Sequence, residues 1–282
     1  MPDVWGLASI ATKFALYLGL LTSTGTVFAV LLFQLSGYRQ FILAFASLGV
    51  VATLLGFSLN AAMLMGNLSG MTDPEMLRLL WSTSAGTALA LRLVGLSILA
   101  LGLFMGPIGL RLSMVGGTVV LWSFASTGHI PDRDSMTLDL ILMFHLVAIS
   151  LWIGVLSPLR KMSLNVSTLS DAADLGHRFG KIAIIFVPLL IIGGGYMGYR
   201  LVGSMSALIG SAYGLTLILK VVFVASLLGL ATANKLRFIP QITTGDQRAA
   251  TSLSRSISLE WAAIAVILMI SAILTSALTL PA

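Results

Sequence analysis

Three histidines carry most of the chemistry open to this sequence. His145 falls inside an apolar run, His129 closes another in Ser126-Thr127-Gly128-His129, and His177 sits beside Arg178 in a polar stretch. An imidazole within an apolar run is costly unless it faces a polar interior or a ligand. His145 therefore either hydrogen-bonds a neighbouring helix or helps to hold a metal or cofactor. Its own helical face (Leu138, Ile141, Leu142, Ala148, Ile149, Trp152) supplies no second ligand. His129, a short loop away, is the natural metal partner, and His177 reads as a solvated loop residue. Thioether sulfur suits Cu(I) and imidazole suits copper in either oxidation state, so the 13 methionines matter too. Most of them fall towards the same face as His129, although methionine is also a common apolar filler. Met143, two residues from His145, points about 200° away at 3.6 residues per turn. Met63, Met65 and Met197, brought by other helices, are better placed to join the histidines. With no cysteine in the chain, disulfides, thiolate metal sites and iron–sulfur clusters are excluded.

The elements that must position these residues are membrane helices. Of 282 residues, 57% are hydrophobic and 9% charged, and the mean hydropathy is +1.02. A soluble domain carries about a quarter charged residues, so a soluble enzyme, a disordered chain and a nucleic-acid binder are all excluded. Apolar runs bounded by charge and turn signals predict eight spans, near residues 14–33, 41–65, 87–105, 108–127, 138–157, 182–202, 213–233 and 259–278. Each is long enough to cross a hydrocarbon core of about 30 Å as a helix. None shows the strict alternation of a barrel strand. The expectation is an all-α integral membrane protein with eight transmembrane helices in a single polytopic domain, 1–282, embedded in the lipid bilayer. Between the second and third spans, Asp73-Pro74 predicts a capped interfacial helix with Trp81 at headgroup level.

The net charge of +6 is distributed unevenly. Most of the 16 Lys and Arg residues follow the first, third, fifth and seventh spans, among them Arg160, Lys161, Arg178, Lys181, Lys235, Arg237, Arg248 and Arg255. Asp3, Asp73, Glu75, Asp132, Asp134 and Asp139 lie at the opposite face. By the positive-inside rule the basic face is cytoplasmic and both termini are periplasmic. The stretches at about 158–181 and 234–258 read as polar, basic connectors.

Two apolar openings resemble each other. Gly86 is followed three residues later by Leu89 and six later by Arg92, and Gly214 likewise by Leu217 and Lys220. Four spans separate them, which predicts a parallel 4+4 repeat with halves of about 1–130 and 131–282. Arg92 and Lys220 enter the membrane to a depth like that of His145. They either pair with Asp139, line a hydrated vestibule or snorkel to the interface. Glu260, near Arg255, predicts an interfacial ion pair. Gly193-Gly194-Gly195 makes its span flexible or closely packed.

Phe144-His145-Leu146-Val147-Ala148-Ile149-Ser150-Leu151-Trp152-Ile153-Gly154 resembles the "LHLLAAALWLGG" segment of the copper resistance protein D (CopD) family. Gly128-His129 resembles that family's "GHA", with Ile130 where the family usually has Ala. Ser82-Thr83 with Gly86 and Arg92, Tyr213-Gly214 with Lys220, Asn234 with Arg237 and Pro240, and Arg255 with Glu260 extend the likeness over a CopD-like core of about 81–282. The first two spans match only in general character. The resemblance implies a non-enzymatic protein of the bacterial inner membrane that moves copper from periplasm to cytoplasm, with His129 and His145 as metal positions. A copper carrier of the CopC type would be a separate partner chain, since no such domain is fused here. The residues alone leave a second function open, in which two histidines hold one b-type haem for electron transfer.

Overall fold

The computed structural model describes residues 4–125 and 136–280, and within them every regular element is helical. The helices are α1 (Val4–Phe33), α2 (Arg39–Met65), α3 (Pro74–Trp81), α4 (Ser84–Gly102), α5 (Gly106–Trp122), α6 (Met136–Ser163), α7 (Leu169–Val202), α8 (Met205–Gly210), α9 (Ala212–Ala233), α10 (Ile239–Thr243) and α11 (Gln247–Ser276). Among the described residues, seven are long and apolar enough to cross a membrane: α1, α2, α4, α6, α7, α9 and α11. Helix α5 corresponds to the expected span at 108–127 but is only 17 residues long, at the lower edge of what a bilayer requires.

Short polar signals set the helix starts. Asp73 caps α3 by accepting from the Met76 amide at 2.8 Å, with Pro74 in the first turn, as its sequence predicts. Ser204 caps α8 from the Ala207 amide, and Thr83 and Ser211 cap the membrane helices α4 and α9.

The two basic stretches differ from expectation. They are largely helical extensions and not solvated connectors. Helix α6 continues through Pro158 to Ser163, α7 begins at Leu169, and α11 begins at Gln247, capped by Asp246. The physical reason is an apolar stripe hidden among the charges. Leu169, Ala172, Ala173, Gly176 and Gly180 share one face of α7, and Ala249, Ala250, Leu253 and Ile257 share one face of α11, and all are buried. The join between α9 and α10 is a single π-helical turn, Asn234–Phe238.

Helix α1 is the hub. It packs on α2, α5, α6 and α11, and every residue from Gly19 to Ala29 is buried. In the first part of the chain α2 also packs on α4, and α4 on α5. In the second, α6 packs on α7 and α11, and α9 on α11 with a lighter contact to α7. Helices α1 and α6 cross where Gly25 meets Ser150 and Gly154. A Cβ on Gly25 would lie 1.7 Å from the Ser150 carbonyl oxygen, and one on Gly154 would lie 2.0 Å from that of Gly25. Only hydrogen fits at either position, which is how small residues bring membrane helices into backbone contact.

Candidate metal site

His145 lies about 14 Å along α6 from its first residue, at 1.5 Å per residue. Its imidazole turns toward α7, where a Cβ on Gly194 would sit 3.6 Å from His145 Cε1. That spacing is ordinary van der Waals contact, so the ring lies against this part of α7. Within Gly193–Gly195 only Gly193 is tightly packed, with its Cβ position 3.1 Å from Ile141 Cγ2, and nothing lies within 4 Å of the Cβ position of Gly195. His145 Nδ1 is shielded from solvent and has no hydrogen-bond partner among the described residues. A buried imidazole nitrogen left so costs free energy. It is a ready donor atom for a ligand that arrives from outside.

Two further residues bear on this imidazole. Met197 is three residues beyond Gly194 on α7, hence on nearly the same face, and is buried at 8% exposure. Its thioether is the soft group nearest in register to the ring. Lys220 of α9 lies close enough to interact electrostatically with His145. Of the three alternatives read for Lys220, this comes closest to a side chain lining an internal polar site.

The other sequence candidates are distributed elsewhere. Met63 and Met65 end α2, whose neighbours are α1, α3 and α4, and Met63 is exposed. The fold does not bring them to the α6–α7 face that holds His145. His129 falls between α5 and α6, outside the described residues. His177 is exposed on α7 at the opposite, basic end.

A second polar cluster occupies the same end of the bundle among α1, α4, α5 and α11. Arg92 Nε donates to Ser123 Oγ at 3.0 Å, and its guanidinium lies over the Phe124 ring at 5.3 Å. Tyr17 shares a hydrogen bond with Thr275 Oγ1 at 2.9 Å, and Lys13 donates to the Thr275 carbonyl. Arg92 is therefore held inside the bundle by a hydroxyl and an aromatic face.

Glu260 corrects the sequence expectation most sharply. It is 2% exposed, and its partners are neutral: Trp152 Nε1 donates to Oε2 at 3.1 Å and Asn234 Nδ2 donates to Oε1. Arg255 is exposed and forms no interfacial pair with it. The reason is helical phase. Glu260 continues the buried stripe Leu253, Ile257 and Ile264 of α11, whereas Arg255 points out of it. Sequence reading missed this network. The intramembrane acid, the Asn and the Trp were all visible, but only the fold shows that they meet.

Residues 1–138 match the family described as "Copper resistance protein D-like, N-terminal domain", and residues 173–274 match "Copper resistance protein D". The first match takes in spans that resemble the family only in general character by eye. The chain is also similar to "Copper transport protein CutJ" of Bacillus subtilis (strain 168), at 28% identity over 161 residues. That alignment covers 56% of this chain but only 28% of the relative, so the chain spans well under half of that protein. No solved structure matches. Two family matches that between them take in both halves of the sequence lead to one statement of kinship: the chain belongs to the copper resistance protein D family.

Proposed function

We propose that this protein carries copper across the bacterial inner membrane, from periplasm to cytoplasm, as a transporter and not an enzyme. The observation that carries the reading is the shielded, unpartnered Nδ1 of His145, whose ring faces Gly194 of α7, one turn before the buried Met197. Imidazole and thioether together suit copper, and Cu(I) in particular. Family membership and the printed name of the Bacillus relative support copper as the substrate. His129, sixteen residues before His145 in the sequence, is the second imidazole of this site. Met63 and Met65, which end α2 away from the α6–α7 face, serve at most as an outer collecting group. Lys220, when charged, repels a cation at His145, which suits a station that must release what it binds. A separate CopC-like periplasmic carrier is the donor that the family resemblance implies.

The reading includes a topology. Helix α5 counts as the eighth span, the ends of α6, α7 and α11 that carry Arg160, Lys161, Arg178, Lys181 and Arg255 face the cytoplasm, and both termini are periplasmic. Reporter fusions within 66–73 and after residue 282 are expected to report periplasm, and fusions at 164–165 and 244–246 to report cytoplasm. The reverse pattern would place His145 on the cytoplasmic side and end the proposed direction.

It also includes a parallel 4+4 repeat. The pairs α1/α2, α2/α4, α4/α5 and α1/α5 have counterparts in α6/α7, α7/α9, α9/α11 and α6/α11. Short helices α3 and α8 precede α4 and α9 in the same way, each followed by a hydroxyl cap, then Gly86 or Gly214 against the preceding backbone, then a half-buried cation, Arg92 or Lys220. The Gly25–Gly154 crossing marks where the relating axis would run.

The experiment that tests the function is copper uptake by vesicles containing the purified full chain. Time-dependent uptake above that of empty vesicles is the expected result. Vesicles that gain no copper over the empty control would overturn transport.

A further inference from the structure

At the basic end of the bundle Glu260 has no cation to balance it among the described residues. On α7, Arg178 pairs with Asp174 and donates to the Leu32 carbonyl, and Lys181 is exposed. From α6 comes Trp152, while Arg160 is exposed and donates to Ser258 Oγ at 3.0 Å. From the π-helical turn comes Asn234, while Lys235 turns away to the Gly180 carbonyl at 3.1 Å. The one charged residue of α1, Lys13, is at the far end of that helix, and α10 carries none. On α9 Lys220 stands fourteen positions before Asn234, about 21 Å along the axis. On α11 itself Arg255 is exposed.

A carboxylate in this setting would be a bare buried charge, whose desolvation neutral donors offset only in part. Two further oxygens stand ready beside it. Asn234 Oδ1 is buried with no hydrogen-bond partner, and so is Ser256 Oγ, one turn before Glu260 on the same face of α11. Asn234 continues the register of α9, its amide bonded to the Leu230 carbonyl, and opens the π-helical turn. Such turns recur at functional sites.

We infer that Glu260 is a second station at the basic end, a carboxyl group that carries a proton at rest and exchanges it for a cation coordinated by Glu260, Asn234 Oδ1 and Ser256 Oγ. The inference rests on the copper-transport reading for the identity of that cation. The exchange balances: the neutral carboxyl and Cu(I) give a carboxylate–Cu(I) pair and one proton, which leaves to water at the basic face. No electron moves. Oxygen ligands hold Cu(I) more loosely than imidazole or thioether, so a cation that reaches Glu260 from the His145 side is on its way out.

The test uses the purified full chain in vesicles, with infrared difference spectra to read protonated carboxyl groups and a pH dye to read proton release. On addition of Cu(I) the wild type is expected to lose a protonated-carboxyl band and release a proton. Glu260→Gln is expected to lose both signals, while the copper bound through His145 remains. Gln preserves an acceptor for Trp152, and Glu260→Asp, which restores an ionisable group, is expected to restore the band. A wild type without the band, or a band that survives in Glu260→Gln, overturns the assignment. A pH step alone, without copper, must move the same band. If it does so in a chain that never takes up copper, the transport reading fails and Glu260 remains the proton carrier.

Discussion

His145→Ala is expected to lower the copper affinity of the purified protein by more than about 100-fold, since loss of a mere outer-shell partner already costs 10–100-fold. The imidazole offers a shielded nitrogen that no protein group uses. Removing the ring leaves Met197 as the soft donor on that face, and one thioether does not hold the ion alone. His129→Ala is expected to produce a loss of the same order, because a second imidazole completes the proposed pair. His177→Ala is expected to be silent, as that residue is exposed at the other end. In the wild type, affinity should weaken as pH falls, because protons compete with the metal for the ring nitrogens. Copper per protein after dialysis, measured across the three variants, decides the matter. If His145→Ala and His129→Ala both keep the wild-type copper content, the site has been misplaced, and Met63 and Met65 become the next residues to test.

Gly25→Ala and Gly154→Ala are expected to be the most damaging single substitutions for the fold itself. Each new methyl carbon would sit about 2 Å or less from a backbone carbonyl oxygen of the facing helix, where no flexible side chain can yield. Helices α1 and α6 would have to separate, and α1 also contacts α2, α5 and α11. Overpacking a core commonly costs about 1–3 kcal/mol, and a backbone-to-backbone clash at the hub belongs at or above the top of that range. Gly229→Ala is the control, because a Cβ there meets nothing within 4 Å and alanine favours the helix. Thermal unfolding in detergent should show a large drop for the first two variants and none for the third. Equal stability of all three would mean that α1 and α6 do not cross at these glycines.

The composition and the apolar runs already imply a helical membrane bundle, because water-filled loops and open strands have no place in hydrocarbon. Asp73-Pro74 announced α3 for an equally local reason, a cap and a first-turn proline. The basic stretches were misread because hydropathy averages over a window. It hides the buried stripe of Ala172, Ala173 and Gly176 among neighbouring charges, where helical periodicity would have revealed it. For the candidate site, the depth of His145 and the glycine run of α7 were both legible one at a time. That Gly194 faces His145, that Lys220 approaches it, and that Glu260 meets Trp152 and Asn234 are relations between distant segments. Nothing in a local pattern encodes them without the helix packing.

The hydroxyls of α1 bear on how the protein is assembled. Thr22, Ser23, Thr24 and Thr26 are all wholly buried. Ser23 and Thr26 donate to carbonyls one turn back on their own helix, at 2.7 Å each, which lets α1 exist in lipid alone. Yet its neighbours α6 and α11 are translated more than a hundred residues after it. During synthesis the hub must therefore wait beside α2 and then α5, with its glycine face bare, until α6 arrives to cover Gly25. Until then that face is the natural site for an insertion chaperone to hold, and a ribosome stalled before α6 should leave α1 open to crosslinking there.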